Sequence, residues 1–178
     1  MEQPEPDAPD SQLGEFWALT QRYAHVGDLD VVMGREWGGA LPPPAWSFGD
    51  NPEVADDLLG LVLDGRKRAT SGLKEEYEAE DEPLPRPGDL AILVDGAGRP
   101  RALIRDVEVR VTRWADVTAA QAAAEGEGDG TLAGWRAIHE AAWAGRGQSV
   151  TADTEVVWER FKVLYPASGS YSATRARA

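Results

Sequence analysis

The feature that most constrains this chain is a change of period at residue 90. Before it, apolar residues recur at helical spacing. After it, Leu90–Val94 is an apolar run, Asp95-Gly96-Ala97-Gly98 is a hairpin-type connection, and 101–112 alternates, with Leu103, Arg105, Val107, Val109 and Val111 on one side. That pattern predicts two antiparallel strands. A third strand is expected over 155–165, where EVVWERFKVLY is rich in β-branched and aromatic residues.

Helices surround these strands without alternating one for one. One is expected from Ser11 to Gly27, with Leu13, Phe16, Trp17 and Tyr23 on its apolar stripe. The best punctuated follows Asp50 and Asn51: Pro52 and Glu53 fill its first turn, Val54, Leu58, Leu61 and Val62 line a face, and Gly65 lies past its end. A charged helical stretch is expected over Leu73–Glu80, and an Ala-rich helix opens at Asp116-Val117-Thr118. From Thr131 a last helix presents Trp135, Ile138, Ala142 and Trp143 inward and ends at Gly145. Several strands with unpaired helices imply an α+β fold, as a small barrel, over a doubly wound sheet.

Residues 1–10 are Pro- and acid-rich and read as a disordered tail. Residues 11–43 form an N-terminal helix and loop extension, 44–166 the main domain, and 167–178 a second disordered tail. At 178 residues with 42% hydrophobic side chains, the chain can bury a core without staples.

Composition removes several kinds of chemistry. There is no Cys and there are two His, His25 and His139, so thiolate catalysis, disulfide scaffolds, cysteine zinc sites and multi-histidine metal centres are excluded. No cofactor and no metal are expected. The first thirty residues lack the basic start and apolar stretch of a signal peptide, and no run suits a membrane span, so a cytoplasmic protein is expected. The net charge is −13, and residues 1–60 hold most of it, with twelve acids against two bases. Two basic patches stand out locally: Arg66-Lys67-Arg68, and the series Arg99, Arg101, Arg105, Arg110 and Arg113. So acidic a protein suits short or monomeric anionic ligands better than long nucleic acid.

Two segments carry candidate chemistry. In Gly65-Arg66-Lys67-Arg68-Ala69-Thr70-Ser71 the order of Gly and Lys is wrong for a phosphate loop. A solvated basic turn is one reading. In the other, a desolvated Lys67 activates the hydroxyl of Thr70 or Ser71, or stabilises an oxyanion. The second segment, Glu125-Gly126-Glu127-Gly128-Asp129-Gly130, sets three carboxylates on a short arc. It fails the EF-hand pattern, because the twelfth residue from Glu125 is Arg136. It is either an acidic surface loop or the source of a general base and a partner for a lysine. Trp46, Phe48, Trp135, Trp143 and Trp158 can stack on a base, although their spacing also suits a core. His139 is expected at the edge of the Trp135 packing. Arg160 can pair with a loop carboxylate or with a substrate phosphate.

In chain order, Trp46-Ser47-Phe48-Gly49-Asp50, Ala55-Asp56-Asp57-Leu58-Leu59, Gly65-Arg66-Lys67-Arg68-Ala69-Thr70, Pro87-Gly88-Asp89, Glu125-Gly126-Glu127-Gly128-Asp129, Trp135-Arg136 with His139, and Glu159-Arg160-Phe161 resemble the ASCH family. The resemblance spans about residues 44–166 and implies a PUA-like β-barrel. It also implies chemistry directed at RNA or nucleosides. Some members look like metal-independent ribonucleases on single-stranded RNA, and a smaller branch is similar to amidohydrolases acting on N4-acetylcytidine. That branch carries a catalytic Lys, Thr and Glu, which match Lys67, Thr70 and Glu127 or Glu125. The same cleft then assigns substrate contacts to Ser71, Trp46, Phe48, Arg66, Asp129 and Arg160. Short single-stranded RNA or a modified nucleoside is the implied partner. Three readings follow: a hydrolase, a non-catalytic RNA or modified-base binding module, and a protein in which Lys67 only salt-bridges the acidic loop.

Overall fold

The computed structural model describes residues 9–23 and 41–166. In chain order the elements are α1 (Pro9–Tyr23), β1 (Ala45–Trp46), α2 (Pro52–Leu63), β2 (Ala69–Leu73), α3 (Lys74–Ala79), β3 (Leu90–Val94), β4 (Pro100–Arg113), a 3₁₀ turn (Trp114–Asp116), α4 (Ala119–Glu125), α5 (Leu132–Gly145) and β5 (Glu155–Tyr165). Residues 9 and 10, expected in a tail, are helical. The expected helix end at 24–27 and the loop from 27 to 40 lie outside the described residues. The fold is α+β, with a mixed five-stranded sheet in the order β1-β3-β4-β5-β2.

That sheet corrects the expectation of a barrel. β1 is two residues long and pairs in parallel with β3, Ala45 against Ile92 and Trp46 against Leu93. β2 pairs antiparallel with β5. Closure needs the two end strands to bond to each other; β1 and β2 instead end the order as separate edges.

The described residues form two compact units, the first from 9–23, 41–59, 90–104 and 163–166 and the second from 60–89 and 105–162. In the first unit Trp17, Ile92 and Leu103 are buried, and Leu13, Phe16, Leu90, Val94, Leu164 and Tyr165 pack on them. The buried Asp95 closes the β3–β4 hairpin: its Oδ1 accepts from the amides of Ala97 and Arg99, and its Oδ2 from the guanidinium groups of Arg99 and Arg101. Burial works against its ionisation, but these bonds outweigh it and hold the carboxyl below its ordinary range. No helix among the described residues is long and apolar enough to cross a membrane.

In the second unit Leu73, Trp114, Val117, Ala122, Trp135, Trp143 and Val156 form the core. Trp114 lies 4.9 Å from Trp135 and 5.6 Å from Trp143, centroid to centroid. Helix α5 turns Trp135, His139 and Trp143 inward, at spacing i, i+4, i+8. The expected Ile138 and Ala142 are exposed instead. The His139 ring fills their place by stacking on Trp135 at 4.3 Å.

Two other faces differ from expectation. α2 is capped as read, with the Val54 amide bonded to Asn51 Oδ1, but it buries Ala55, Leu59 and Val62 and leaves Val54 exposed. β4 buries the consecutive residues Ala102, Leu103 and Ile104 and leaves Val111 exposed. A strand between two neighbours can be covered on both faces, so alternation does not mark its core residues.

Candidate active site

The site begins where α2 stops. Gly65 takes a left-handed conformation (φ 75°), and the amides of Arg66 and Lys67 turn back to the Leu61 carbonyl at 2.9 and 3.0 Å. The Arg68 amide then bonds to the Ala124 carbonyl at 2.8 Å, which ties this segment to the end of α4. Across from it Gly126, also left-handed (φ 65°), packs so closely that a Cβ there would lie 2.3 Å from the Arg66 carbonyl oxygen. Only glycine fits. The contact lays Glu125 and Glu127 beside Lys67.

Lys67 is 1% exposed, whereas its neighbours Arg66 and Arg68 are exposed. The solvated basic turn is therefore true of the arginines and not of the lysine. Lys67 Nζ pairs with Glu127 Oε1 and lies 3.6 Å from Glu125 Oε2. Glu125 is fully buried. Its Oε1 accepts from Ser71 Oγ at 2.6 Å and from Trp135 Nε1 at 2.8 Å, and its Oε2 lies 3.3 Å from His139 Nε2. Burial alone would push this carboxyl up, but His139, the charge on Lys67 and the Ser71 hydroxyl together hold it below its ordinary value. The arrangement presents a fixed ammonium, an ionised carboxylate and a hydroxyl in one place. Glu125, Glu127 and His139 each offer one metal-ligating atom, all within 4.8 Å of one another.

The ASCH family model matches residues 44–165, which contain all of these groups. The chain belongs to the ASCH domain family. Two crystal structures are similar to it. A protein of family DUF984 from Enterococcus faecalis V583 is 30% identical, with a TM-score of 0.69 over 86% of this chain and 88% of that one. An ASCH domain from Lactobacillus crispatus JV V101 is 27% identical, with a TM-score of 0.63 over 82% of this chain and 93% of that one. No curated protein matches the chain by sequence.

Within this ASCH domain, Lys67, Ser71, Glu125 and Glu127 come together, while Thr70, Asp129 and Arg160 of the same unit are engaged elsewhere. Ser71 pairs with Trp158 across the β2–β5 ladder, and Thr70 pairs with Glu159. Successive strand residues point to opposite faces, so Thr70 faces away from the side on which Ser71 meets Glu125. Asp129 holds Thr131, the residue that caps α5, its Oδ1 accepting from the Thr131 amide and hydroxyl at 2.9 and 2.8 Å. Arg160 pairs with Glu108 rather than with the glycine-rich loop. Trp46 and Phe48 belong to the first unit and meet edge to face at 4.8 Å. The arginine series is largely spent on acids as well: Arg110 on Glu108, and Arg113 on Asp116 and Asp153.

Two groups of residues escaped the sequence reading. His139 and Trp135 hold Glu125, where packing was expected of the histidine and either packing or base stacking of the tryptophan. On the other face of the ladder, Tyr77 Oη donates to Glu159 Oε1 at 3.2 Å, with Asp106 and Asp89 close by. Burial and the Asp106 charge push Glu159 up to about 8, and burial with the Asp89 charge pushes Asp106 up to about 6. Burial and the Glu159 charge raise the Tyr77 hydroxyl as well. The one available signal was an acid, Glu159, next to the apolar residues Val156, Val157 and Trp158 of β5.

Proposed function

We propose that this ASCH domain hydrolyses short single-stranded RNA or a modified nucleoside at the Lys67–Ser71–Glu125–Glu127 cluster. The observation that carries the reading is the buried Lys67, whose charge is held in place by two carboxylates. A fixed, desolvated ammonium stabilises developing negative charge, on a phosphorane or on the oxyanion of an amide, without reorganising. Ser71 places a hydroxyl oxygen beside it, oriented by donation to Glu125. Glu127, the less buried of the two acids, is the group suited to exchange a proton with a leaving group.

The family resemblance supports RNA or nucleosides as the substrate class, and the net charge of −13 with its paired arginines favours a short or monomeric substrate. N4-acetylcytidine deacetylation is the amide-cleaving form of the same reading. Because Thr70 faces away from Glu125, Ser71 takes the hydroxyl role there.

Turnover of fluorescent single-stranded RNA and of N4-acetylcytidine by wild type, Lys67→Met and Ser71→Ala tests this. The expected result is cleavage of one substrate, lost by about 10²-fold or more in Lys67→Met. Salt-sensitive RNA binding without turnover of either substrate would overturn hydrolysis and leave a recognition module.

A further inference from the structure

His139 Nδ1 lies 3.0 Å from the Trp135 main-chain carbonyl. A carbonyl only accepts, so Nδ1 carries a hydrogen and donates it. In the neutral ring this leaves Nε2 with its lone pair, and Nε2 faces Glu125 Oε2 at 3.3 Å. With the neutral ring two acceptors face each other, and Oε2, on a fully buried side chain, meets no hydrogen-bond donor of good geometry among the described residues. Such an approach calls for a positive centre between the two atoms, which is either a proton on Nε2 of an imidazolium ring or a metal ion.

We propose that His139 Nε2, Glu125 Oε2 and the Glu127 carboxylate bind one divalent transition-metal ion, with Lys67 as its competitor. Two ligands about 2.0–2.1 Å from a tetrahedral ion are about 3.3–3.4 Å apart, which is the Nε2–Oε2 separation found here. The surroundings match those of a metal centre. The second nitrogen of the histidine is tied to a carbonyl, and the second oxygen of Glu125 is held by Ser71 and Trp135; such partners fix ring orientation and ligand direction. One imidazole with two carboxylates suits Zn²⁺, Co²⁺ or Mn²⁺ better than Ca²⁺, which takes oxygen ligands, or Cu⁺, which takes thiolates. The expectation of no metal came from counting histidines and cysteines, and one buried and one partly buried carboxylate beside His139 alter that count.

Lys67 neutralises the same two acids. The ion and the ammonium exclude each other, so metal binding displaces Lys67. Metal binding stands independently of hydrolysis. If the proposed hydrolysis also holds, the metal inhibits it.

The full-length chain, titrated with Zn²⁺ by calorimetry and with Co²⁺ by visible absorption, provides the test. Wild type is expected to bind one ion, Lys67→Met to bind at least about tenfold more tightly, and Glu127→Gln at least about tenfold more weakly. Absence of binding to wild type up to about 1 mM Zn²⁺ would overturn the proposal, as would binding indifferent to both Glu127→Gln and His139→Gln. Zn²⁺ on Lys67→Met alone would also overturn it, leaving Lys67 as the permanent counter-charge. Should Lys67→Met fail to fold by circular dichroism, wild type against Glu127→Gln decides. ¹⁵N NMR of His139 gives a second readout: loss of the Nε2 lone pair to Zn²⁺ supports the site, and a proton on Nε2 in saturating Zn²⁺ contradicts it.

Discussion

Glu125 and Glu159 are approached from opposite faces of the β2–β5 ladder, and burial affects them in opposite directions. Glu125 is the more deeply buried, yet its carboxyl is held below the ordinary range; Glu159 is less buried and is pushed up to about 8. Desolvation disfavours the charge on both, so it cannot explain the difference. The neighbours can. Glu125 has His139 at 3.3 Å and Lys67 at 3.6 Å together with the Ser71 hydroxyl, whereas the charges acting on Glu159 are those of Asp106 and Asp89. At an effective dielectric near 20, opposite charges about 4 Å apart attract by about 4 kcal/mol, enough to offset a partial desolvation penalty. Like charges add to that penalty. One strand pair thus separates a charge-compensated face, suited to chemistry, from a proton-holding face, and a single step along β2, from Thr70 to Ser71, selects between them.

The comparison is broken most severely by removing the cation. Lys67→Met removes the cation from the fully buried Glu125 and the partly buried Glu127, and we expect a loss of about 3–5 kcal/mol in urea unfolding at pH 7. The pH dependence on the acid side should also weaken. In wild type the lowered Glu125 contributes stability above its unfolded value of about 4.5, lost as pH falls through the folded value. In Lys67→Met one of the groups that lower Glu125 is gone, so its folded value should rise toward the unfolded one and less stability should be lost in acid. Next in size is Gly126→Ala, which meets the Arg66 carbonyl and leaves a left-handed position strained. A cost of about 1–3 kcal/mol is expected by thermal unfolding, with the Lys67–Glu127 pair disturbed.

Glu159→Gln sharpens the other side of the comparison. The folded values of Glu159 and Asp106 are raised, so their contribution is complete below the unfolded values near 4 and is lost as pH rises through about 6 to about 8. Wild type should lose on the order of 2 kcal/mol between pH 5 and 9 from this cluster, and the glutamine variant should show a flatter profile. The smallest effect is expected for Arg160→Ala. It breaks an exposed pair with Glu108 and should move Tm by less than about 2 °C.

Much of the fold was legible because local signals and burial agree. Asn51, Pro52 and Gly65 punctuate α2, Thr118 and Thr131 cap α4 and α5, and the Asp95-Gly96-Ala97-Gly98 connection closes the β3–β4 hairpin. Lys67, Glu125 and Glu127 were legible as a set through the family resemblance, while the residues alone also suited a solvated basic turn and an acidic surface loop. Whether Thr70 or Ser71 faces Glu125 was not, because that depends on strand register, and a shift of one residue exchanges the faces. His139 was obscured for a different reason: an imidazole at helical spacing between two tryptophans reads as packing, and here it both packs and reaches a carboxylate. The barrel failed because closure depends on pairing between end strands, which no local pattern encodes.

The most direct test of the account is a ¹³C NMR titration of the glutamate carboxyl carbons in wild type and Lys67→Met. The account predicts that Glu125 titrates below the ordinary carboxylate range in wild type and moves upward in the variant, while Glu159 titrates near 8 in both. An unshifted Glu125 that ignores the loss of Lys67, or a Glu159 in the ordinary range, would contradict it.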